Sequence, residues 1–284
     1  MTHLNCNLFR DIRATGRTLI VAALGLLASA SACGQDALAD WEWRNPLPTG
    51  GILWDVVYAN DTFLTVGSAG EIFITPDGLS WTPVISGTEE TLNSVTYGNG
   101  QYVAVGEAGA LVTSTDGRTW TVRDSGTTER LFGVAWGNDR YVLVGTNGTI
   151  QSSADGVTWQ AETSTTGDRL GDVLFAGGQF VAVGGQPNDH STILTSPDGQ
   201  TWTEQTVVAS QFLTGAAHDG SIYVAVGEAG TLLTSPDAMT WTARASSTFQ
   251  ELQGVTYAGN QFIAVGFGGT ILSSPDAITW TPSK

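Results

Sequence analysis

The heptapeptide STDGRTW at Ser114–Trp120 returns as SADGVTW at Ser153–Trp159 and as SPDGQTW at Ser196–Trp202. Looser copies of it end at three further tryptophans, which are Trp81, Trp241 and Trp280. Successive members of this set of six tryptophans are 39 residues apart, except that 43 residues separate Trp159 from Trp202. A period near 40 residues indicates a repeat protein, in which one small unit is copied along the chain.

Each unit contains four short runs of β-type residues. In the second unit these runs are 92–97, 101–105, 110–114 and 119–122. The Asn-Gly pair between the first two runs is typical of a two-residue hairpin turn, because such turns require positive φ. No helical apolar period of any length follows the N-terminal segment. Four-stranded units joined by short turns predict an all-β protein, specifically a β-propeller, whose radial closure leaves only short sheet edges.

The number of blades follows from the number of units. Six complete units predict six four-stranded blades in a single domain over residues 41–284. Residues 41–50 stand where a fourth strand would precede the first unit, so seven blades are the alternative. In the six-bladed arrangement we expect this extra strand to strengthen the closure of the ring. The fourth unit carries its four additional residues within Gly185–His190, where a sister unit has the turn Gly106–Gly109.

The repeated heptapeptide resembles the Asp-box, or BNR, repeat of sialidases and related propellers. Its Asp and Ser or Thr oxygens can accept backbone N–H groups in a tight turn, Gly permits positive φ, and Trp can pack between neighbouring blades. The resemblance therefore implies a structural role for the box aspartates, which are Asp77, Asp116, Asp155, Asp198, Asp237 and Asp276. The longer sequence motif of the units is also similar to that of the photosystem II stability/assembly factor group.

The N-terminal segment resembles an export signal. Three arginines precede an apolar and small-residue stretch of 15 at residues 18–32, which is short for a bilayer-spanning helix. Cys33 follows at once, as in a bacterial lipoprotein signal, where an acylated cysteine follows the cleavage site. We expect a signal peptide over 1–32, lipidation at Cys33 and a linker over 33–40, with plain secretion as the alternative. The resemblance implies an outer-membrane lipoprotein, or a periplasmic or extracellular protein.

The charge of the chain excludes several classes of partner. The chain of 284 residues has 11 basic and 27 acidic residues, a net charge of −16. Removal of residues 1–32 leaves eight basic and 26 acidic residues, a net charge of −18. Binding to nucleic acid or to anionic lipid requires Lys and Arg clusters, so we expect no nucleic acid partner and a membrane contact only through the lipid anchor. The charge also argues against a role in photosystem assembly, because the group that the repeats resemble binds through a basic patch.

A ligand is expected on the face opposite the box turns, as in other Asp-box propellers. That face is built from the loops before each first strand and from the Gly-x-x-Gly turns. Arg130 and Arg169 are 39 residues apart and should occupy equivalent places on adjacent blades. The candidate ligand-binding residues are Trp54, Asp55, Glu90, Glu107, Arg130, Phe132, Arg169, Asp172 and Glu228. A mouth with aromatic rings, amides and carboxylates suits a sugar or a cationic peptide.

Catalytic signatures are sparse. A sialidase would need three convergent arginines, yet Arg244 aligns with Arg123 on an outer strand. Glycoside hydrolysis needs only two carboxyl groups about 5 to 9.5 Å apart, and an acidic rim can contain such a pair. After the N-terminal segment the histidines are His190 and His218, which fall on opposite faces, so no transition-metal site is expected. The glycines match sheet turns, so no nucleotide cofactor is expected either.

These observations lead to one functional prediction and one alternative. The sequence predicts an exported, monomeric, non-catalytic propeller that binds a protein, peptide or glycan at an acidic loop face. No catalytic residue, metal or cofactor is part of this prediction. The alternative is an extracellular glycoside hydrolase, without sialidase activity.

Overall fold

The computed structural model describes residues 49–207 and 209–282. The expected signal peptide, the lipidation site Cys33, the linker and nearly all of the extra strand at 41–50 lie outside these residues. Within the described part of the chain, no helix combines the length and the apolar character needed to cross a membrane.

The described chain forms six antiparallel sheets of four strands, and each sheet is one blade of a β-propeller ring. In every blade, neighbouring strands in space are also neighbours in the sequence. The prediction of an all-β propeller with six blades is confirmed for these residues, against the seven-bladed alternative.

Blade 1 contains β1 (Leu53–Ala59), β2 (Thr62–Gly67), β3 (Ile72–Thr75) and β4 (Thr82–Val84). Blade 2 contains β5 (Leu92–Gly98), β6 (Gln101–Gly106), β7 (Leu111–Ser114) and β8 (Thr121–Arg123). Blade 3 contains β9 (Leu131–Gly137), β10 (Arg140–Gly145), β11 (Ile150–Ser153) and β12 (Gln160–Ala161). Blade 4 contains β13 (Arg169–Ala176), β14 (Gln179–Gln186), β15 (His190–Ser196) and β16 (Thr203–Gln205). Blade 5 contains β17 (Leu213–His218), β18 (Tyr223–Gly227), β19 (Leu232–Ser235) and β20 (Thr242–Ala243). Blade 6 contains β21 (Leu252–Ala258), β22 (Gln261–Gly266), β23 (Thr270–Ser274) and β24 (Thr281–Pro282). The first strand of each blade is the innermost and the fourth is the outermost.

Aromatic side chains of the second strands fill the spaces between blades. Tyr102 and Phe180 are fully buried, and the Tyr102 hydroxyl donates a hydrogen bond of 3.1 Å to the carbonyl oxygen of Ala59 in the preceding blade. The tryptophan of each repeat packs beside such a ring. Trp202, for example, is 5% exposed, and its ring centroid is 6.4 Å from that of Phe180. Burial of one large apolar side chain contributes about 1.5–3 kcal/mol, so this repeated contact is a main source of blade cohesion.

The repeated aspartates organise the turn between the third and fourth strands. Oδ1 of Asp116 accepts the backbone N–H groups of Thr119 at 2.7 Å and Arg118 at 2.8 Å, and Ser114 Oγ donates to the same oxygen at 3.0 Å. These bonds lower the pKa of Asp116 to about 2. The equivalent backbone bonds occur in the other five turns, at Asp77, Asp155, Asp198, Asp237 and Asp276. The box aspartates are thus hydrogen-bonded within their own turns.

Every innermost strand carries a bulge at one fixed position. In β9, Leu131 pairs with Gly145 and Gly133 pairs with Val144, so Phe132 is the extra residue of the bulge. A β-bulge of this kind re-aims the side chain of the extra residue. The corresponding extra residues in the other blades are Trp54, Asn93, Gly171, Thr214 and Gln253.

A single turn of 3₁₀ helix joins the second strand to the third in five blades. These turns span Ser68–Gly70, Glu107–Gly109, Thr146–Gly148, Glu228–Gly230 and Phe267–Gly269. The middle residue has positive φ, which is 50° at Ala108. Blade 4 instead extends its hairpin, since β14 and β15 remain paired as far as Gln186 and His190. The four additional residues of the fourth unit therefore lengthen two strands.

Candidate functional site

In the five blades that have a 3₁₀ turn, two loops meet where the innermost strand begins. One loop leads into that strand, and the other is the 3₁₀ turn. The backbone N–H of Thr146 in such a turn donates to the carbonyl oxygen of Arg130 at 3.0 Å. We call this side of the ring the mouth face, and we call the residue just before the first leucine of each innermost strand the rim residue. The six rim residues are Ile52, Thr91, Arg130, Arg169, Phe212 and Glu251.

Three adjacent blades place arginine and phenylalanine side chains in alternation at the mouth face. The guanidinium carbon of Arg130 lies 4.6 Å from the ring centroid of Phe132. The guanidinium carbon of Arg169 lies 4.1 Å from the same ring and 4.2 Å from the ring of Phe212. Guanidinium groups at these distances from aromatic faces are in cation–π contact. The structure thus places three of the predicted ligand-binding residues, Arg130, Phe132 and Arg169, side by side, and Phe212 completes the stack. Their role in binding a ligand stays a prediction.

The two arginines differ in their charge partners. Arg130 Nε lies 2.5 Å from Glu107 Oε1, and both side chains are partly exposed. Arg169 forms no ion pair with any described residue, and its Nε atom is buried without a hydrogen-bond partner among them. Burial and the neighbouring charge of Arg130 lower the pKa of Arg169, while Glu228, Glu251 and Glu107 act in the opposite direction. Arg169 thus remains a cation that no described carboxylate pairs directly.

A second acidic group borders the stack from blade 6. The carboxyl group of Glu251 accepts a short hydrogen bond from Gln253 Nε2. Burial raises the pKa of Glu251, and the nearby carboxylate of Glu228 raises it further. Glu228 and Glu251 belong to adjacent blades, and both interact electrostatically with Arg169. The mouth face therefore places two arginines and three glutamates near enough for their charges to interact.

The extended hairpin of blade 4 supplies a further polar cluster beside Arg169. Asp168 accepts hydrogen bonds from Thr192 Oγ1 at 2.5 Å and Gln186 Nε2 at 3.0 Å, and its Oδ2 lies 2.8 Å from His190 Nε2. The other imidazole nitrogen lies 3.1 Å from Asp189 Oδ2. Burial favours protonated Asp168, but these hydrogen bonds outweigh it and lower the pKa to about 2. The two carboxylates raise the pKa of His190 by hydrogen bonding.

Two of the predicted ligand-binding residues have a different place in the structure. Asp55 and Asp172 are 2% and 1% exposed, and their carboxylates accept backbone N–H groups of the next blade. The partners are Val95, at 2.9 Å from Asp55, and Ala216, at 3.1 Å from Asp172. The prediction that these aspartates face a ligand is corrected accordingly, because they join innermost strands inside the ring.

The remaining predicted residues belong to blade 1 and to the loop that leads into blade 2. Trp54 is the bulge residue of blade 1; it is half-buried, and its Nε1 atom is buried without a hydrogen-bond partner among the described residues. Glu90 is exposed in the loop that leads to β5. Among the described residues, no group of three or more His, Cys, Asp or Glu side chains is arranged to hold a metal ion.

Sequence reasoning missed one member of the stack, Phe212. The signal was present, because Phe212 occupies the same repeat position as Arg130 and Arg169. From sequence alone, an apolar residue at that position is interpreted as part of the core, and Phe212 is indeed only 1% exposed. Its contact with Arg169 depends on how far the guanidinium reaches between blades, which residue spacing does not determine.

Comparison with known proteins supports the fold. No family model matches the sequence, and no curated protein matches it. Among solved structures, the chain is similar to YCF48 from Cyanidioschyzon merolae, with a TM-score of 0.66, 19% identity, and coverage of 84% of this chain and 88% of that one. It is also similar to YCF48 bound to D1 peptide, with a TM-score of 0.67, 21% identity, and coverage of 83% and 82%. The computationally designed Ika8 protein has a TM-score of 0.57 at 13% identity, with coverage of 77% and 69%.

Proposed function

We propose that this protein is a non-catalytic propeller that binds a peptide segment of a partner protein at its mouth face. Arg169 and Arg130 hold a carboxylate of the peptide, and Phe132 and Phe212 fix the arginines in place. Guanidinium groups bind carboxylates through strong, charge-assisted and often bidentate hydrogen bonds. A stacked guanidinium is also already ordered, so that less conformational entropy is lost when the ligand arrives.

One observation carries this proposal, namely the unpaired guanidinium of Arg169. In a chain with a net charge of −16, a cation beside three glutamates would be expected to form an ion pair. Its planar group is instead held between two rings, and its Nε has no partner among the described residues. Leaving a buried donor unsatisfied costs about 1–3 kcal/mol, more when the group is charged. A bound carboxylate would give this guanidinium group the charge partner that no described residue supplies.

The comparisons are consistent with a peptide ligand. One of the similar structures is YCF48 with a D1 peptide bound, and it shares the propeller fold with this chain. We propose the same class of ligand here, a peptide or protein. A glycan remains the second ligand class that the mixture of rings and carboxylates at the mouth face would suit.

Titration with a peptide panel tests the proposal. The panel contains peptides with a free C-terminal carboxylate, their C-terminally amidated forms, and amidated forms with an internal Asp or Glu, so that the two sources of a carboxylate are separated. We expect Arg169→Gln to weaken binding about 10-fold or more, because a charge-assisted hydrogen bond is lost. Arg123→Gln is the matched control, since Arg123 contacts Thr113 on an outer strand. Equal binding by wild type and Arg169→Gln across the panel would contradict the proposal.

The alternative of an extracellular glycoside hydrolase has one observation in its favour. Glu251 has a raised pKa beside a second carboxylate, Glu228, and one protonated and one ionised carboxyl group are the requirement for glycoside hydrolysis. Incubation with a broad panel of glycosides separates the two functions. Turnover that Glu251→Gln abolishes would establish the enzyme and remove the binding-module proposal.

We also propose that the protein is exported and anchored by a lipid on Cys33, and that it acts as a monomer. The support is the sequence of the N-terminal segment, with an apolar stretch followed directly by cysteine. Cys33→Ser should move the protein from the membrane fraction to the soluble fraction. Unchanged membrane association of the variant would refute acylation, and a dimer in sedimentation velocity would refute the monomer.

A further inference from the structure

Blade 6 carries two exposed phenylalanines on the mouth face. Phe249 lies in the loop that leads into β21 and is 94% exposed, and Phe267 begins the 3₁₀ turn of the same blade and is 50% exposed. Large apolar side chains at this level of exposure are unfavourable in water unless a partner covers them. The two loops that carry them are joined, because the backbone N–H of Phe267 donates to the carbonyl oxygen of Glu251, two residues after Phe249, at 3.0 Å.

The repeat shows that both phenylalanines are departures from the unit. The residues at the position of Phe249 in the other five units are small or polar, namely Gly50, Glu89, Thr128, Gly167 and Ser210. The residues at the position of Phe267 in the other 3₁₀ turns are Ser68, Glu107, Thr146 and Glu228. The fold therefore requires no aromatic ring at either position, and only blade 6 has one at both.

The pair is connected to the arginine stack through blade 5. Arg169 contacts the Phe212 ring of blade 5 at 4.2 Å, and Thr214 of blade 5 donates a hydrogen bond of 2.5 Å to the carbonyl oxygen of Leu252 in blade 6. The residue before Leu252 is Glu251, whose carbonyl oxygen accepts the N–H of Phe267 at 3.0 Å. These contacts lead from the cation of blade 4 through blade 5 to the strand of blade 6 beside the apolar pair. An extended peptide advances about 3.3 Å per residue, so a peptide that lies along the mouth face can contact the loops of successive blades.

We propose that Phe249 and Phe267 bind an apolar side chain that lies within a few residues of the carboxylate held by Arg169. This inference rests on the proposed function and adds to it the sequence class of the ligand: a carboxylate preceded by an aromatic or aliphatic residue. Aromatic side chains dominate the energetics of peptide recognition because they bury a large area at a small entropy cost. Continuity with the arginine stack favours this occupant over a lipid surface, which would need no carboxylate.

The experiment is an NMR titration with two sets of Gly/Ser peptides that end in a free carboxylate. One set has no apolar residue, and the other has a single Phe placed one to four residues before the C-terminus. We expect the best-placed Phe to raise affinity about 10-fold for the wild type. The gain should disappear in Phe267→Ser and in Phe249→Thr, which install residues found in sister units, and it should persist in Ile85→Thr, whose side chain is 88% exposed on the outside of blade 1.

The outcomes separate this inference from the function on which it rests. If Arg169→Gln leaves the affinity of both peptide sets unchanged, the proposed function fails. If binding depends on Arg169 while the gain from Phe survives in both phenylalanine variants, only the present inference is overturned. A bilayer is the other possible partner of the pair. If both variants co-sediment less with phosphatidylcholine vesicles than the wild type does, while the affinity gained from Phe in the peptide is unchanged, the pair binds a bilayer and the present inference is overturned. Phe267→Glu, which installs the residue of blades 2 and 5, provides a second variant if Phe267→Ser folds poorly.

Discussion

The carboxylate of Asp55 in blade 1 accepts the backbone N–H of Val95 in blade 2, with 2.9 Å between Oδ2 and the nitrogen atom. Its other oxygen accepts the N–H of Val56 at 2.8 Å. A buried carboxylate with two backbone donors holds the innermost strands of two blades in register. Asp172 repeats the inter-blade bond between blades 4 and 5.

Asp55→Ala should therefore lower the free energy of unfolding by about 2–3 kcal/mol, because it leaves buried N–H groups without an acceptor. Urea denaturation monitored by tryptophan fluorescence measures the change. Glu90→Ala serves as the control, since Glu90 is exposed, and should change stability by no more than about 0.5 kcal/mol. A free energy of unfolding unchanged in Asp55→Ala would show that the carboxylate does not join the blades.

Trp202→Ala should cost about 3–5 kcal/mol, because it opens a cavity beside Phe180 between blades 3 and 4. Trp202 is 5% exposed, and its indole N–H donates to the carbonyl oxygen of Gly199 at 3.2 Å. Trp159→Ala should act in the same direction between blades 2 and 3. Differential scanning calorimetry is the measurement, and an unaltered melting temperature for Trp202→Ala would refute the assigned packing.

Ala108→Gly should raise the free energy of unfolding by about 1 kcal/mol. Ala108 is exposed and has φ 50° and ψ 30°, a left-handed conformation that costs a residue with a Cβ atom about 1–2 kcal/mol and glycine almost nothing. Ala110, two residues later, has φ −54°, so Ala110→Gly is the control and should instead destabilise the protein. Chemical denaturation of both variants compares the signs, and a loss of stability in Ala108→Gly would contradict the expected strain.

Asp168 should make the free energy of unfolding depend on pH in the acidic range. Its pKa falls to about 2 in the folded protein, against an ordinary value near 4, so its contribution is present above about pH 4 and is lost as the pH drops towards 2. Asp168→Asn should reduce the free energy of unfolding at pH 7, and the difference from wild type should narrow at pH 3. Urea titrations at the two pH values measure this, and a constant difference would exclude the carboxylate as its source.

His190 should show the opposite dependence. The carboxylates of Asp168 and Asp189 raise its pKa above the ordinary value of 6.5. Its stabilising contribution is therefore complete below pH 6.5 and is lost as the pH rises through the folded pKa. NMR titration of the imidazole protons gives that pKa directly. A midpoint at or below 6.5 would contradict the geometry, and His190→Gln should remove the alkaline part of the pH dependence of the melting temperature.

The fold could be predicted from the sequence because a 39-residue period repeats the same turn residues six times. The candidate site could be predicted only in part. Arg130 and Arg169 were recognisable as equivalent rim residues, since residue spacing determines blade position. Asp55 was misassigned because a carboxylate near the start of an innermost strand has the same sequence pattern whether it faces a ligand or bonds the next blade. The bulge that determines its direction is a property of strand pairing, which the spacing of residues does not reveal.

The six rim residues have a consequence for how such a ring can change. Each occupies the same position in its repeat, yet no two adjacent blades have the same residue there except blades 3 and 4, with Arg130 and Arg169. A substitution at one of the exposed or partly exposed rim positions, unlike one at the buried Phe212, alters the chemistry of the mouth face with little change to the core beneath it. Evolution or design can therefore change the ligand preference one blade at a time, by substituting side chains at six equivalent positions.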